Sequence, residues 1–167
     1  MKKTGIFYGS STGTTEEIAK RIGSKLGIET SDIHNIDSTD VNKVSDYELL
    51  VLGSSTWGVG DLQDDWEGFL PKLKKLDLST KTVAIFGTGD SSSFGDSFCD
   101  AMGTIYNELK DTGCKFIGAI PLDGYSFEGS TAVIDGKLIG LALDEVNESN
   151  LTDKRIAQWV NQLTMDN

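Results

Sequence analysis

Residues 3–27 of the chain read KTGIFYGSSTGTTEEIAKRIGSKLG and combine a strand, a polar loop and a helix. The segment 3–8, KTGIFY, predicts a short strand. From residue 16 to residue 27, apolar residues recur at the spacing of one helical face. Those residues are Ile18, Ala19, Ile22 and Leu26. Thr14 and Glu17 match a capping box at the start of this predicted helix.

The rest of the chain repeats this alternation of strand and helix. Further strands are predicted at residues 30–36, 48–54, 82–87 and 115–120, and further helices at residues 64–76, 97–109 and 152–163. Such alternation predicts an α/β fold in which helices cover both faces of a parallel sheet. Ligands of these sheets bind beyond the carboxyl ends of the strands, so the loops directly after each strand form the candidate site.

The composition predicts one globular domain that spans residues 1–167. The 26 acidic and 15 basic residues give a formal net charge of −11, which excludes nucleic-acid binding through a basic face. The same charge disfavours binding to an anionic membrane surface. The apolar run near the amino terminus is too short for a secretory signal or a membrane span, so we expect a cytoplasmic protein.

The loop after the first predicted strand is rich in hydroxyl groups. Its residues are Ser10, Ser11, Thr12, Gly13, Thr14 and Thr15. Hydroxyl groups beside a helix N-terminus predict a phosphate site, because both donate hydrogen bonds to an anion. The loop lacks the lysine of a nucleotide P-loop and the glycine spacing of a dinucleotide fingerprint. A polar helix cap is the alternative interpretation of these residues.

Two further loops each carry one aromatic residue among small residues. The loop after the third strand contains Ser55, Thr56, Trp57, Gly58, Val59 and Gly60, and the loop after the fourth contains Thr88, Gly89, Asp90 and Phe94. Taken alone, each ring could equally fold back into the core. Together with a phosphate loop at the same edge, the two loops predict a planar ring held between two aromatic faces, with a phosphate tail.

No other motif predicts a metal site or a catalytic group. Cys99 and Cys114 are too few for a disulfide framework, so packing roles are expected. His34 is the only histidine and has no cysteine or histidine partner at a metal-binding spacing, so neither a metal centre nor a catalytic triad is expected. Trp66 and Trp159 fall on helical stripes, which predicts that both lie in the core.

Five stretches of the chain resemble the flavodoxin family. They are SSTGTTE at 10–16, STWGVGDLQDDWEGF at 55–69, GTGD with the following Phe94 and Asp96 at 87–96, LIGLALDE at 138–145 and LTDKRIAQWV at 151–160. The resemblance implies a three-layer, doubly wound, five-stranded parallel sheet of order 2-1-3-4-5. Long-chain members carry an insertion in the last strand, which implies an insertion at about 121–137 between strand segments 115–120 and 138–143.

The resemblance also implies non-covalently bound flavin mononucleotide (FMN) as cofactor. Residues 10–15 would then hold the phosphate, and Trp57 and Phe94 would flank the isoalloxazine ring. Residues 88–90 and the segment near Cys99 would border the pyrimidine end of the ring, largely through backbone donors.

Three single positions refine what the resemblance implies. The peptide at Gly58 would rotate on reduction and offer its carbonyl group to the flavin N5–H, since glycine permits positive φ at little cost. Phe94 stands where the family usually has tyrosine, which keeps the stacking but loses a hydroxyl group. Val146 stands where long-chain relatives often have an acidic residue near the ribityl chain.

A low-potential one-electron carrier between redox enzymes is the implied function. Segments 53–71, 83–109 and 116–136 contain acidic residues and neither lysine nor arginine. Negative charge on these loops would lower the reduction potential of a flavin. It would also favour docking to basic surfaces on ferredoxin-type reductases and oxidoreductases. The carrier is expected to be a monomer and to have no catalytic residue.

Two other functions are compatible with this order of strands and helices. A flavodoxin-like NAD(P)H:quinone reductase is the main alternative, but aromatic rings on both faces of the flavin would leave no room for its substrates. A phospho-receiver domain needs an acidic cluster after the first and third strands. The residues found there are Gly9, Ser10, Ser54 and Ser55, so this function is rejected.

Overall fold

The computed structural model describes residues 2–167 and contains strands that alternate with helices. Within these residues the strands are β1 (Thr4–Gly9), β2 (Ile33–Asn35), β3 (Leu49–Trp57), β4 (Asp61–Leu62), β5 (Thr82–Thr88), β6 (Lys115–Phe116), β7 (Ile120–Pro121), β8 (Val133–Ile134), β9 (Lys137–Leu138) and β10 (Leu141–Leu143). The α-helices over the same range are α1 (Thr14–Leu26), α2 (Asp65–Lys74), α3 (Asp100–Leu109) and α4 (Thr152–Asp166).

The central sheet has the strand order β2-β1-β3-β5-β10, and these five strands are mutually parallel. Counted along the chain, the order is 2-1-3-4-5, so the predicted doubly wound fold is confirmed. β2 lies on one side of β1 and β3 on the other. The connections therefore diverge above β1 and β3, which opens a crevice at the carboxyl edge of the sheet.

Two helices cover each face of this sheet. α1 and α4 pack on one face, and α2 and α3 pack on the other. Side chains alternate between the faces along each strand, so Ile6 and Tyr8 of β1 lie on the α1 side and Phe7 lies on the α2 side. Trp66 and Trp159 are buried on opposite faces, which confirms their prediction as core residues.

The edge of the sheet beyond β5 is formed by two separate short strands. β6 pairs with the beginning of β5, and β10 pairs with its end. The residues between them form a small antiparallel sheet of order β7-β9-β8. This segment packs beside α3: Phe127 stacks on Phe98 with ring centroids 5.1 Å apart, and the Thr131 N–H donates to the Asp100 carboxylate at 2.8 Å.

Local predictions differ from the structure at three places. α1 begins at Thr14 and its N-cap is Gly13, so the capping box is wrong. The run at 115–120 is not continuous: β6 ends at Phe116 and β7 begins at Ile120, because Gly118 turns the chain with φ 90° and its carbonyl group accepts a hydrogen bond from the Trp159 indole. β3 extends to Trp57 and pairs with β4 in an antiparallel hairpin that no sequence pattern indicated.

The contacts of two glycines predict opposite effects of the same substitution. A Cβ at Gly140 would lie 1.8 Å from the Ile85 carbonyl oxygen, whereas a Cβ at Gly68 in α2 would meet nothing within 4 Å. We expect Gly140→Ala to lower the free energy of unfolding by about 3 kcal/mol, since strand β5 must shift to make room. Gly68→Ala should raise it by about 0.5–1 kcal/mol, because alanine has the higher helix propensity. Urea denaturation measures both, and an unchanged midpoint for Gly140→Ala would contradict the close packing of this edge.

Candidate functional site

Three strands of the sheet, β1, β5 and β10, end at nearly the same level, and β3 continues past them into the hairpin with β4. Gly9 of β1 lies opposite Ser54 of β3, and Ser54 lies opposite Gly87 of β5. Leu143 of β10 lies opposite Thr88 of β5. Since parallel strands direct their carboxyl ends to one edge, the loops that follow them lie side by side. The predicted phosphate loop and both predicted aromatic loops are therefore brought to one edge.

The first loop leads directly into α1 and presents backbone donors. Gly13 is the N-cap residue and adopts φ 93°, a left-handed conformation that glycine adopts without strain. Because Gly13 has no side chain, it cannot cap the helix, and the N–H groups of the first turn remain available to an anion. The Ser10 hydroxyl accepts a hydrogen bond from the Gly13 N–H at 3.1 Å, and Ser11 and Thr12 are exposed.

The β3–β4 hairpin presents the first aromatic ring. Trp57 pairs with Asp61 across the hairpin, and the turn between them uses left-handed conformations at Gly58 (φ 52°) and Gly60 (φ 94°). Trp57 lies at the end of this ladder, and its side chain is 42% exposed. Val59 at the tip of the turn is 77% exposed.

The loop after β5 presents the second aromatic ring. Phe94 is 42% exposed, and its N–H donates to the carbonyl oxygen of Asp90 at 2.9 Å. The Asp90 carboxylate accepts hydrogen bonds from the Ser92 and Ser93 N–H groups, at 3.1 and 2.9 Å. The bond from Ser93 is the main cause that holds the pKa of Asp90 below its ordinary value. Asp90 therefore shapes the loop that carries Phe94.

Asp144, at the end of β10, holds this loop against the sheet. Its carboxylate is completely buried and accepts hydrogen bonds from the N–H and hydroxyl groups of Ser91 and from the N–H groups of Val146 and Asn147. Burial alone would raise the pKa of Asp144, but the bonds from Ser91 and Asn147 outweigh burial and lower it. The Asn147 amide also donates to Asp90 at 2.8 Å, which joins the two loops. The sequence alone did not indicate these positioning roles. Asp144 and Asn147 bond to Ser91 and Asp90, which precede them by more than 50 residues in the chain.

Two hydroxyl groups directly before Trp57 have hydrogen-bonding capacity that the protein does not use. Ser55 Oγ is buried and has no hydrogen-bond partner among the residues that the structure describes. Thr56 Oγ1 accepts from the Ala101 N–H at 3.2 Å, which leaves its own hydrogen free to donate. A buried polar atom without a partner is costly, so an unpaired Ser55 hydroxyl is the condition expected of a ligand contact.

The residues expected to border the pyrimidine end of a flavin ring differ in how exposed they are. Thr88 is nearly buried, and Asp90 is partly exposed. Gly89 donates its N–H to the Leu143 carbonyl oxygen at 3.0 Å, so that donor is already used. A Cβ at Gly89 would lie 2.9 Å from the Cys99 backbone nitrogen, and Cys99 itself is completely buried. Cys99 therefore packs behind Gly89, in line with the packing role expected of its thiol, and a contact of the neighbouring backbone with the ring stays a prediction.

Acidic residues surround this edge. The exposed ones are Asp61, Asp64 and Asp96 on its loops, Glu67 in the first turn of α2, and Asp123 and Glu128 in the segment between β7 and β8. Within residues 2–167 no cluster of acidic, cysteine and histidine side chains is arranged to hold a metal ion. No helix in the same range has the length and hydrophobicity needed to cross a bilayer.

These features define a class of protein. A doubly wound sheet with an anion-binding loop and two exposed aromatic rings at its switch point is a binding protein for a flat, phosphorylated ligand. Residues 6–159 match the family model described as Flavodoxin. The chain belongs to the flavodoxin family.

Relatives of known identity cover almost the whole chain. A flavodoxin of Nostoc sp. is 44% identical over 97% of this chain and 95% of its own length. Flavodoxin 1 of Escherichia coli strain K12 is 41% identical over 98% of this chain and 94% of its own length. The crystal structure of Fusobacterium nucleatum flavodoxin bound to flavin mononucleotide superposes with a TM-score of 0.91, at 35% identity, over 99% of both chains.

The hydrogen bonds of Asp144 predict a pH-dependent contribution to stability. We expect Asp144→Asn to lower the free energy of unfolding by about 2 kcal/mol at pH 7, because the amide has one acceptor oxygen and no charge. The folded-state pKa of Asp144 is lowered, so the contribution is present above the unfolded pKa of about 3.9 and disappears as the pH falls through the folded value.

Urea denaturation of both proteins between pH 7 and pH 3 measures this difference. The gap between wild type and Asp144→Asn should narrow below about pH 4. Asp111→Asn is the control, since Asp111 is exposed at the opposite edge of the sheet and should leave stability unchanged. A gap that stays constant down to pH 3 would show that the charge of Asp144 does not hold the loop.

Proposed function

We propose that this chain carries single electrons between redox enzymes through one non-covalently bound FMN. The proposal depends on one observation. Two exposed aromatic rings lie at the same edge of the sheet as a helix N-terminus that has no side-chain cap and is preceded by hydroxyl-bearing residues. A flavin ring is flat and largely apolar, and its ribityl phosphate is an anion, so the two parts match the two features. The relatives reported above support the same cofactor.

Residues 10–15 would bind the phosphate through neutral donors. The hydroxyl groups of Ser11 and Thr12 are exposed, and the first-turn N–H groups of α1 point toward the loop. The loop contains no lysine or arginine, so the helix dipole and the backbone donors would balance the phosphate charge.

The ring would lie between Trp57 and Phe94. Offset stacking on both faces excludes water and leaves no space for a second substrate, which favours a carrier over a quinone reductase. Ser55 and Thr56 would donate hydroxyl hydrogens from the strand end below the ring. Asp90 would border its pyrimidine end, because its loop is the one that carries Phe94.

FMN supplies one-electron reduction and reoxidation when it is bound, and the protein sets how favourable each step is. The acidic loops disfavour the addition of negative charge, so we propose a low potential for the second electron. Gly58 already adopts φ 52° and can change its conformation at little cost, so its carbonyl group can accept a hydrogen bond from a protonated ring nitrogen.

The surroundings of the site suggest how partners are recognised. Exposed Trp57, Val59 and Val146 give the edge an apolar centre, and carboxylates surround it. This combination fits short-lived docking to basic patches on ferredoxin-type reductases and oxidoreductases. We further propose that the protein is a cytoplasmic monomer. It would consist of a single domain whose last strand is interrupted by an insertion at 121–137.

Flavin binding and stepwise reduction test the proposed function. Purified apoprotein should bind FMN at a ratio of one to one and quench its fluorescence, and a redox titration should resolve two separate one-electron potentials. Trp57→Ala should weaken FMN binding by about tenfold to hundredfold, since stacking on one face is lost. Trp66→Phe in the core is the matched control and should retain the affinity. Rapid NADPH oxidation with a quinone by the purified protein alone would contradict the carrier role.

The charge of the site edge should control the rate of encounter with partners. We expect the double variant Asp64→Asn/Asp96→Asn to slow electron transfer to a basic c-type cytochrome by about fivefold at low ionic strength, with the difference lost in high salt. The control is Glu29→Gln/Asp111→Asn, which removes the same charge from the opposite edge of the sheet. Equal slowing by both variants in stopped-flow measurements would show that net charge, and not the site edge, is recognised.

A further inference from the structure

Gln63 is a buried amide that joins the phosphate loop to the hairpin that carries Trp57. It lies between β4 and α2 and is 2% exposed. Its Nε2 donates to the Ser11 hydroxyl at 3.1 Å and to the Asp65 carboxylate at 2.8 Å. A buried polar side chain in this position must satisfy all of its donors, and Gln63 does so by bonding across two loops.

The neighbours of Gln63 determine the orientation of its amide. The Asp65 N–H is a donor and faces Gln63 Oε1 at 3.0 Å, while the Asp65 carboxylate is an acceptor and faces Nε2. Reversing the amide would place donor against donor and acceptor against acceptor. The nitrogen is therefore the atom that faces Ser11.

This orientation determines what the Ser11 hydroxyl can do. A hydroxyl group has one hydrogen to donate and two lone pairs that accept. The amide nitrogen Nε2 of Gln63 can donate a hydrogen bond but cannot accept one. The Ser11 hydroxyl must therefore accept in this contact, and its own hydrogen is left free to donate elsewhere. Ser11 is exposed in the loop before α1, so this hydrogen is available to an anion at the helix N-terminus.

The backbone of Gln63 is tied to the strand below the ring site. Its N–H donates to Ser54 Oγ at 3.2 Å, and Ser54 Oγ donates to the Ser55 carbonyl oxygen at 2.8 Å. On the other side, a Cβ at Gly9 would lie 2.1 Å from Gln63 Oε1, so glycine at the end of β1 makes room for the amide. Gln63 is thus held at both ends and cannot follow a movement of Ser11.

We infer that Gln63 is a positioning residue that keeps the Ser11 hydroxyl as a donor toward the phosphate, and so favours FMN over riboflavin. This inference rests on the proposed function, because it assumes that the anion at α1 is the phosphate of FMN. Riboflavin has the same ring and ribityl chain without the phosphate, so it makes the contacts of the ring site alone.

The test compares the binding of FMN and riboflavin to the apoproteins by fluorescence quenching. Gln63→Met keeps the length of the side chain and removes its donors. It should weaken FMN binding by about tenfold or more, the value of one hydrogen bond to a charged group, and change riboflavin binding by less than about twofold. Gln158→Met on the exposed face of α4 is the matched control and should change neither.

A double-mutant cycle shows whether Gln63 acts through Ser11. Ser11→Ala alone should reproduce the selective loss of FMN binding, and Gln63→Met should add little in the Ser11→Ala background. Additive effects of the two changes would overturn the inference, and so would an equal loss of FMN and riboflavin binding. Such results would leave the proposed function standing, whereas failure of wild-type apoprotein to bind FMN would overturn both.

A second variant covers the case in which Gln63→Met does not fold. Gln63→Glu keeps the shape and the acceptor that faces the Asp65 N–H. Its second oxygen replaces Nε2 beside the Asp65 carboxylate, so the two acids share one proton between them. Toward Ser11 that oxygen accepts, which withdraws the Ser11 hydrogen from the phosphate. The ratio of FMN to riboflavin affinity should therefore fall by about tenfold or more at pH 7. An unchanged ratio would contradict the role assigned to Gln63.

Discussion

The register of the central parallel strands is the constraint on which the site depends. Gly9, Ser54 and Gly87 lie opposite one another, so the loops after β1 and β5 leave the sheet at one level, beside the hairpin into which β3 continues. Small residues at these strand ends are required by packing: a Cβ at Gly87 would lie 2.6 Å from Met102, and one at Gly9 would overlap Gln63. Larger side chains here would separate the loops from the sheet, and the anion loop and the two aromatic rings would no longer share a ligand.

A strongly acidic protein that binds a phosphate needs attraction from something other than cations. In the proposed site the N-terminus of α1 would provide it, because Gly13 leaves the first-turn N–H groups open and hydroxyl side chains add further donors. Neutral donors bind an anion without cancelling the negative field of the surrounding carboxylates. The same arrangement can therefore hold FMN tightly and still disfavour additional negative charge on the ring.

Two buried polar side chains keep the loops in place, and both act between segments that are distant in sequence. Asp144 bonds Ser91 and Asn147 and thereby fixes the loop of Phe94, while Gln63 bonds Ser11 and Asp65 and thereby fixes the phosphate loop to α2. Each side chain is buried with its hydrogen bonds satisfied, so each contributes order that an exposed loop residue could not provide. The loops are consequently preorganised for a ligand.

The sequence by itself determined the parallel α/β fold, because apolar runs and helical stripes alternate along nearly its whole length. It also predicted a phosphate loop and a pair of aromatic rings for the proposed site, because their chemistry is local to segments of a few residues. Only the tertiary structure decided that Trp57 is exposed, since the β3–β4 hairpin that carries it depends on backbone pairing that side-chain patterns do not encode. It likewise decided the roles of Gln63 and Asp144, because burial and hydrogen bonding there depend on partners that meet only when distant loops are brought to one edge.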